Sequence, residues 1–129
     1  QNEPISILAS FTGIVTKVVR GCVVGNTSCG DGYGNHIVIA RQTVNLGDSN
    51  YLTEGTVHQY QTIYANLKEI SSQWNENDVV QIGAVLGILG NTGSSTAPHL
   101  HYEVNRLVVN KDKQIVKEII NPLNLIQEE

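Results

Sequence analysis

Short segments rich in β-branched residues recur along the whole chain, and each is bounded by glycine or by a polar turn. Such residues favour strands, and the segments are residues 5–8, 13–19, 36–40, 57–67, 78–83, 84–90, 99–104, 107–109 and 114–120. Only residues 68–74 could form a helical turn before the C-terminal end. Many short strands at close spacing are typical of an all-β sandwich or barrel.

Composition sets limits on the size and partners of the protein. A chain of 129 residues can bury a core as one domain, and no tract suggests a second, so we expect a single domain over residues 1–129. The net charge of −4 argues against nucleic acid as a partner. No apolar run reaches the length of a membrane span. The sequence carries no signal for the oligomeric state.

Cys22 and Cys29 lie in a glycine-rich segment, residues 21–34, that predicts a hairpin loop. An isolated close pair is typical of a disulfide in an exported protein. The alternative, a metal site, lacks a second cysteine or histidine pair at zinc-finger spacing. Gln1 cannot be a translation start, which suggests a removed leader. We therefore expect the protein to be periplasmic, at the cell surface or extracellular.

Residues 87–104 read GILGNTGSSTAPHLHYEV, a glycine-rich double turn leading into a strand with an H-x-H motif. Side chains two residues apart in a strand share a face, so His99, His101 and Glu103 should point the same way. Two imidazoles at this spacing can reach one metal ion, or one can bind it while the other moves protons. The alternative is a strand that carries two unrelated histidines.

The chain resembles the lysostaphin/LytM-type zinc metallopeptidases, which cut the peptide cross-links of bacterial peptidoglycan. The resemblance covers nearly the whole chain and rests on the following segments: G-I-V at 13–15, G-Y-G-N-H-I-V-I at 32–39, T-I-Y-A-N-L at 62–67, N-D-V-V at 77–80, G-N-T-G-S at 90–94, P-H-L-H-Y-E-V at 98–104 and N-P at 121–122. It implies the family's fold, an antiparallel barrel-sandwich of the duplicated hybrid motif type, with a groove lined by strands.

The resemblance also implies roles for particular residues. In this family a His-x-x-x-Asp pair upstream of the first strand and the second histidine of H-x-H bind zinc, with water in the open position. The first histidine of H-x-H and the histidine of Tyr-x-His-Leu stabilise the intermediate and move protons. His101 thus matches a zinc ligand and His99 a catalytic histidine. Asn66 replaces the other catalytic histidine, and an asparagine cannot exchange a proton near neutral pH. The three residues before Pro4 leave no room for His-x-x-x-Asp.

The other polar residues offer no replacement. Alternation along residues 57–67 predicts that Asn66 shares a face with Tyr64. We expect His58 to be a solvated histidine near a loop end, and His36, which opens a strand, to serve structure. Glu103 either orients the second histidine of the H-x-H motif or faces solvent. The expected catalytic site is therefore incomplete, with zinc absent or weakly bound.

These residues favour a non-catalytic, degenerate member of the family that acts as a scaffold or binding module. Its groove would hold a cell-wall peptide or a protein partner by strand addition, and the polar loop at residues 41–56 would be a contact surface. The alternative is a zinc-dependent peptidoglycan endopeptidase whose remaining ligands lie in a removed upstream segment or on another chain.

A third hypothesis is a carrier domain of the biotinyl or lipoyl kind, because residues 78–90 form similar glycine-punctuated strands. Such carriers need a lysine at an exposed hairpin tip. Lys111 and Lys113 lie at a predicted tip, but they lack the apolar neighbours that carriers have. We therefore rank this hypothesis last.

Overall fold

The β-branched segments form eight antiparallel strands in the computed structural model, which describes residues 4–42, 53–90 and 100–120. The strands are β1 (Ser6–Leu8), β2 (Gly13–Val19), β3 (Asn35–Gln42), β4 (Val57–Ile70), β5 (Val79–Val80), β6 (Val85–Leu89), β7 (His101–Val109) and β8 (Ile115–Ile120). One short 3₁₀ turn, Cys29–Gly32, precedes β3. The predicted all-β fold is confirmed. Within these ranges no helix has the length and apolar character that crossing a bilayer requires.

The sheet is built around β4, which is 14 residues long. One edge of β4 pairs with β3, and the other pairs first with β7 and then with β6. The exchange of neighbours takes place between Ala65, which is opposite His101, and Leu67, which is opposite Leu89. The outer strands complete the sheet: β2 joins β3 and β5, β1 joins β6, and β8 joins β7.

The two faces of the central strands bury different clusters. The larger cluster includes Tyr64, Ile37, Ile39, Leu67 and Leu86. The smaller cluster consists of Val38, Ile63 and Ala65, with Tyr33 packed against it. Because register partners share a face, Ile63 and Ala65 lie on the same side of the sheet as Glu103 and His101. The smaller cluster therefore supports the residues of the H-x-H strand.

The predicted helical turn at residues 68–74 is wrong. Residues 68–70 continue β4 and pair with β6, and the following residues form a turn. This turn is held by long side chains: the guanidinium group of Arg20 donates to the carbonyl oxygens of Ile70, Ser71 and Trp74. The Trp74 indole donates to the carbonyl oxygen of Val85 at 2.8 Å. Pairing with a neighbouring strand thus decides the conformation here, rather than local propensity.

Two other predicted boundaries change. The strand predicted at residues 78–83 is reduced to the two residues of β5, because a turn with Gly83 at a φ of 90° follows it. The predicted loop at residues 41–56 begins later, since β3 extends to Gln42. Residues 43–52 of that loop lie outside the described residues.

A disulfide and a buried asparagine hold the loop between β2 and β3. Cys22 and Cys29 form the predicted disulfide, with their Cα atoms 5.8 Å apart. The Cys22 amide donates to Asn35 Oδ1 at 2.8 Å, and Asn35 Nδ2 donates to the carbonyl oxygens of Leu67 at 3.0 Å and Lys68 at 3.1 Å. Asn35 therefore links this loop to β4 by hydrogen bonds, next to the point where β4 changes neighbours.

Candidate functional site

A pocket of about 280 Å³ lies where β4 changes neighbours, between β7 and the disulfide-bonded loop. Its walls combine residues from three parts of the chain, and all but the glycine carry polar groups: Asp31, Gly32, Tyr33, Asn66, His101 and Glu103. Three of these, Asn66, His101 and Glu103, are residues that the sequence singled out. The structure therefore brings them together.

A β-bulge turns Asn66 into the pocket. On β4 the residues Ala65 and Asn66 oppose the single residue His36 of β3, because the register steps from Asn35–Leu67 to Ile37–Tyr64. Asn66 adopts a φ of +62°, which asparagine tolerates better than most residues. The prediction that Asn66 shares the face of Tyr64 is wrong, because the bulge breaks the alternation of β4 between these two positions.

The side-chain amide of Asn66 is buried but incompletely bonded. Asn66 is 5% exposed, and its backbone amide donates to the carbonyl oxygen of Tyr33 at 2.8 Å. Its Oδ1 has no hydrogen-bond donor among the described residues. A buried acceptor without a donor costs about 1–3 kcal/mol. Asn66 thus carries unmet hydrogen-bonding capacity at the pocket.

Glu103 is fixed by hydrogen bonds at both carboxylate oxygens. The Tyr33 hydroxyl donates to Oε1 at 2.9 Å and Asn105 Nδ2 donates to Oε2 at 3.0 Å. Lys117 Nζ lies 3.7 Å from Oε2, and His101 Nε2 lies 3.9 Å from Oε1. Burial acts to raise the pKa of Glu103, but the bonds from Asn105 and Tyr33 and the nearby cations outweigh it and lower the pKa. The Glu103 side chain is 10% exposed, so it contacts His101 rather than facing solvent.

Tyr33 joins the loop to the H-x-H strand. Its ring meets the His101 ring edge to face, with centroids 5.5 Å apart, and lies 5.1 Å from the His36 ring. Burial, followed by the bond to Glu103 and its charge, raises the pKa of Tyr33, which keeps its hydroxyl protonated as a donor. Tyr33 therefore orients the carboxylate from one side while it packs on His101.

The remaining histidines have different environments. The His101 side chain is 48% exposed on the pocket wall, and His99 lies outside the described residues. His36 is buried, its Nδ1 lies 2.8 Å from the Gly34 carbonyl oxygen, and burial lowers its pKa. His58 is buried within β4, so the prediction of a solvated histidine near a loop end is wrong.

Sequence reasoning did not single out the two residues that hold Glu103 by hydrogen bonds, Tyr33 and Asn105. Asn105 could have been found, because it follows Glu103 by two residues and alternation places both on one face. Tyr33 carries a weaker signal: it stands between Gly32 and Gly34, whose φ values of 89° and 68° shape the end of the loop. No spacing rule connects Tyr33 to Glu103, since they are 70 residues apart.

The described residues do not form a zinc site on their own. Across residues 4–42, 53–90 and 100–120, no three histidine, cysteine, aspartate or glutamate side chains are placed to hold one metal ion. A catalytic zinc needs three protein ligands. This pocket is lined by the His101 imidazole, the Asp31 carboxylate and a Glu103 carboxylate that already accepts two hydrogen bonds, and these groups are not placed to hold one ion.

Known proteins share this sequence pattern. A model of peptidase family M23 matches residues 2–116 of the chain. The chain belongs to peptidase family M23. It is 38% identical over 98 residues to a protein named "Uncharacterized metalloprotease" from Buchnera aphidicola, covering 76% of this chain and 22% of that protein. It is 35% identical over 72 residues to the DD-carboxypeptidase/endopeptidase Mpg of Neisseria meningitidis serogroup B, covering 56% of this chain and 13% of that protein. This M23 chain therefore spans less than a quarter of either relative.

Solved structures agree with the fold of this M23 chain. The catalytic domain of lysostaphin from Staphylococcus simulans superposes with a TM-score of 0.59 at 21% identity, over 98% of this chain and 74% of that one. A zinc-containing peptidase from Vibrio cholerae gives a TM-score of 0.51 at 25% identity, over 89% of this chain and 26% of that one. The lysostaphin-type fold that the sequence resemblance implied is confirmed.

Proposed function

We propose that this M23 chain is a non-catalytic binding module that holds a cell-wall peptide, or a partner protein, in the groove beside its pocket. The observation that carries the proposal is Asn66, which lines the pocket where the family resemblance expects a catalytic histidine. An asparagine side chain can orient a ligand by hydrogen bonding, but it cannot take up or release a proton near neutral pH.

Glu103 and Tyr33, which line the same pocket, are poorly suited to replace that histidine. A general base works best when its pKa lies near the operating pH. The pKa of Glu103 is lowered despite its burial, and the pKa of Tyr33 is raised, so both move away from the neutral range. Their mutual hydrogen bond suits a rigid wall that positions a ligand.

Strand addition suits an extended peptide, because main-chain hydrogen bonds supply affinity while a pocket selects one group of the ligand. The disulfide between Cys22 and Cys29 supports a location in the periplasm, at the cell surface or outside the cell, since such bonds persist in oxidising compartments. We propose this location together with the binding role.

Sedimentation with insoluble peptidoglycan tests the proposal. The chain, with and without added zinc, is incubated with purified cross-linked peptidoglycan, and both bound protein and released soluble fragments are measured. We expect the protein to sediment with the polymer while no fragments appear above the level of a protein-free control. Zinc-dependent release of fragments that is lost in the His101→Ala variant would overturn the proposal.

A second candidate is a zinc-dependent peptidoglycan endopeptidase, favoured by the exposed His101 ring on the pocket wall. Its other ligands would come from residues outside those described or from another chain. Calorimetric titration of zinc into the metal-stripped chain separates the two candidates. One-to-one binding tighter than 1 µM that disappears in His101→Ala favours the peptidase, whereas binding weaker than roughly 10 µM favours the binding module.

A further inference from the structure

One wall of the pocket is the end of the loop between β2 and β3. This loop wall, residues 30–34, contains three of the six residues that line the pocket. The Tyr33 amide donates to the carbonyl oxygen of Gly30 at 3.0 Å. The Gly34 amide donates to the carbonyl oxygen of Cys29, also at 3.0 Å. The loop wall is therefore folded back onto Cys29.

The backbone of the loop wall is costly to order. Four of its five residues have positive φ values of 63°, 59°, 89° and 68°, in the order Gly30, Asp31, Gly32 and Gly34. A positive φ is uncommon for residues other than glycine, and glycine loses more conformational freedom on folding than any other residue. This segment therefore needs both of its ends to be held.

The part of the loop ahead of the loop wall gives it little support. Residues 23–28 are exposed, and within the described part of the chain their hydrogen bonds join loop residues to one another. The Asn26 amide donates to the Val23 carbonyl oxygen at 3.2 Å, and the Ser28 hydroxyl donates to Asn26 Oδ1 at 3.1 Å. A segment that buries so little apolar surface has little to offset its conformational entropy.

The disulfide connects the start of the loop wall to the sheet. Cys22 is 6% exposed, its amide donates to Asn35 Oδ1 at 2.8 Å, and Asn35 Nδ2 donates to its carbonyl oxygen at 3.3 Å. Cys29, at the other end of the bond, is half-buried and accepts the Gly34 amide. The disulfide thus passes the fixed position of Cys22 on to the loop wall.

We propose that this disulfide is a redox switch for the pocket: the sheet folds with or without it, whereas the loop wall is ordered only when the bond is closed. The two buried clusters of the sheet contain neither cysteine, so their packing does not depend on the bond. The proposal rests on the binding role above, because it describes how the proposed binding site is regulated.

The switch works by thiol–disulfide exchange. The Cys29 thiolate attacks a disulfide-containing oxidant, whose S–S bond breaks as a mixed disulfide forms. The Cys22 thiolate then attacks the Cys29 sulfur and releases the second sulfur of the oxidant. Two cysteine thiols lose two electrons and two protons, and the oxidant becomes a dithiol; a dithiol reductant reverses both steps. The pocket is therefore complete in an oxidising compartment.

Amide hydrogen exchange of the full chain, measured by NMR without any ligand, tests the switch. The oxidised chain is compared with the chain reduced by dithiothreitol, and reduction is verified by thiol titration. The chain has two cysteines, so the reagent has no other disulfide to reduce. We expect the amide protons of Tyr33 and Gly34 to exchange about tenfold faster after reduction. The Val15 amide, which donates to the Asp78 carbonyl oxygen at 2.9 Å, should keep its rate.

Two variants separate the disulfide from other effects. The double substitution Cys22→Ala with Cys29→Ala should reproduce the exchange rates of the reduced chain and show no response to dithiothreitol. The matched control is Ser28→Ala, which removes a hydrogen bond of the same loop but keeps the disulfide. We expect its loop-wall amides to exchange at the rates of the unsubstituted oxidised chain.

Unchanged exchange at Tyr33 and Gly34 after reduction would overturn the proposal, because the loop wall would then be ordered without the bond. Equal acceleration at Val15 would also overturn it, since the disulfide would then hold the whole fold. Sedimentation with peptidoglycan examines the regulation: the bound fraction should fall several-fold on reduction and return on reoxidation with oxidised glutathione, and an unchanged fraction would overturn the switch. If the oxidised chain does not sediment, the binding module fails, whereas the exchange rates still decide whether the disulfide orders the loop wall.

Discussion

The two faces of β4 differ in how completely their polar groups are bonded. On the core face, the Tyr64 hydroxyl is bonded by the Ser10 amide at 3.0 Å and by the Ser10 hydroxyl at 2.8 Å. On the pocket face, the two buried side-chain atoms without a partner among the described residues are Asn66 Oδ1 and Asn105 Oδ1. Both buried acceptors without a donor among the described residues therefore lie on the pocket face, whereas the Tyr64 hydroxyl of the core face is bonded.

The largest expected effect comes from a substitution in the core face alone. Leu86 is fully buried in the larger cluster, so Leu86→Ala should destabilise the protein by about 2–5 kcal/mol through lost packing and a new cavity. Urea unfolding followed by Trp74 fluorescence measures this. The control is Val85→Ala on the same strand, where the side chain is 46% exposed and the cost should stay below about 1 kcal/mol. Equal costs for the two variants would contradict the division into a closed core and an open face.

The second effect concerns the pocket wall. Glu103→Gln should cost about 1–3 kcal/mol, because a side-chain amide nitrogen would face the Asn105 amide or the Tyr33 hydroxyl, each of which now donates to a carboxylate oxygen. Urea unfolding again gives the free energy. Glu118→Gln is the control, because Glu118 pairs with Arg106 at the surface and should contribute under about 1 kcal/mol. If both variants are equally stable, the hydrogen bonds of Glu103 do not stabilise this part of the fold.

Local strand and turn patterns were sufficient for the all-β class, and the family resemblance supplied the lysostaphin-type fold. Alternation correctly placed His101 and Glu103 on one face, and the short loop between Cys22 and Cys29 predicted their disulfide. The direction of Asn66 could not be predicted, because the bulge arises where β4 pairs with β3 on one edge and exchanges β7 for β6 on the other. That arrangement depends on contacts distant in sequence, as does the approach of Tyr33 to Glu103.

A smaller effect is the pH dependence of the free energy of unfolding that His36 contributes. Burial lowers the pKa of His36 below its usual 6.5, although the Gly34 carbonyl oxygen partly opposes this. The unfolded chain therefore binds this proton more readily, and stability should fall as pH decreases through 6.5 and below. Urea unfolding at pH 7.5 and 5.5 measures the difference. His36→Gln should reduce it, whereas an unchanged difference would assign the pH dependence to other groups.

The smallest effect compares the hydrogen bonds of the two faces directly. Tyr64→Phe removes a hydroxyl that Ser10 bonds and should cost about 0.5–1.5 kcal/mol. Asn66→Gly removes an acceptor that has no donor among the described residues, at a φ of +62° that glycine adopts without strain, so the relief of the unbonded acceptor should offset the lost packing and the protein should not be destabilised. Thermal and urea unfolding of both variants give the pair of values. A loss for Asn66→Gly as large as that for Tyr64→Phe would mean that Asn66 stabilises the fold.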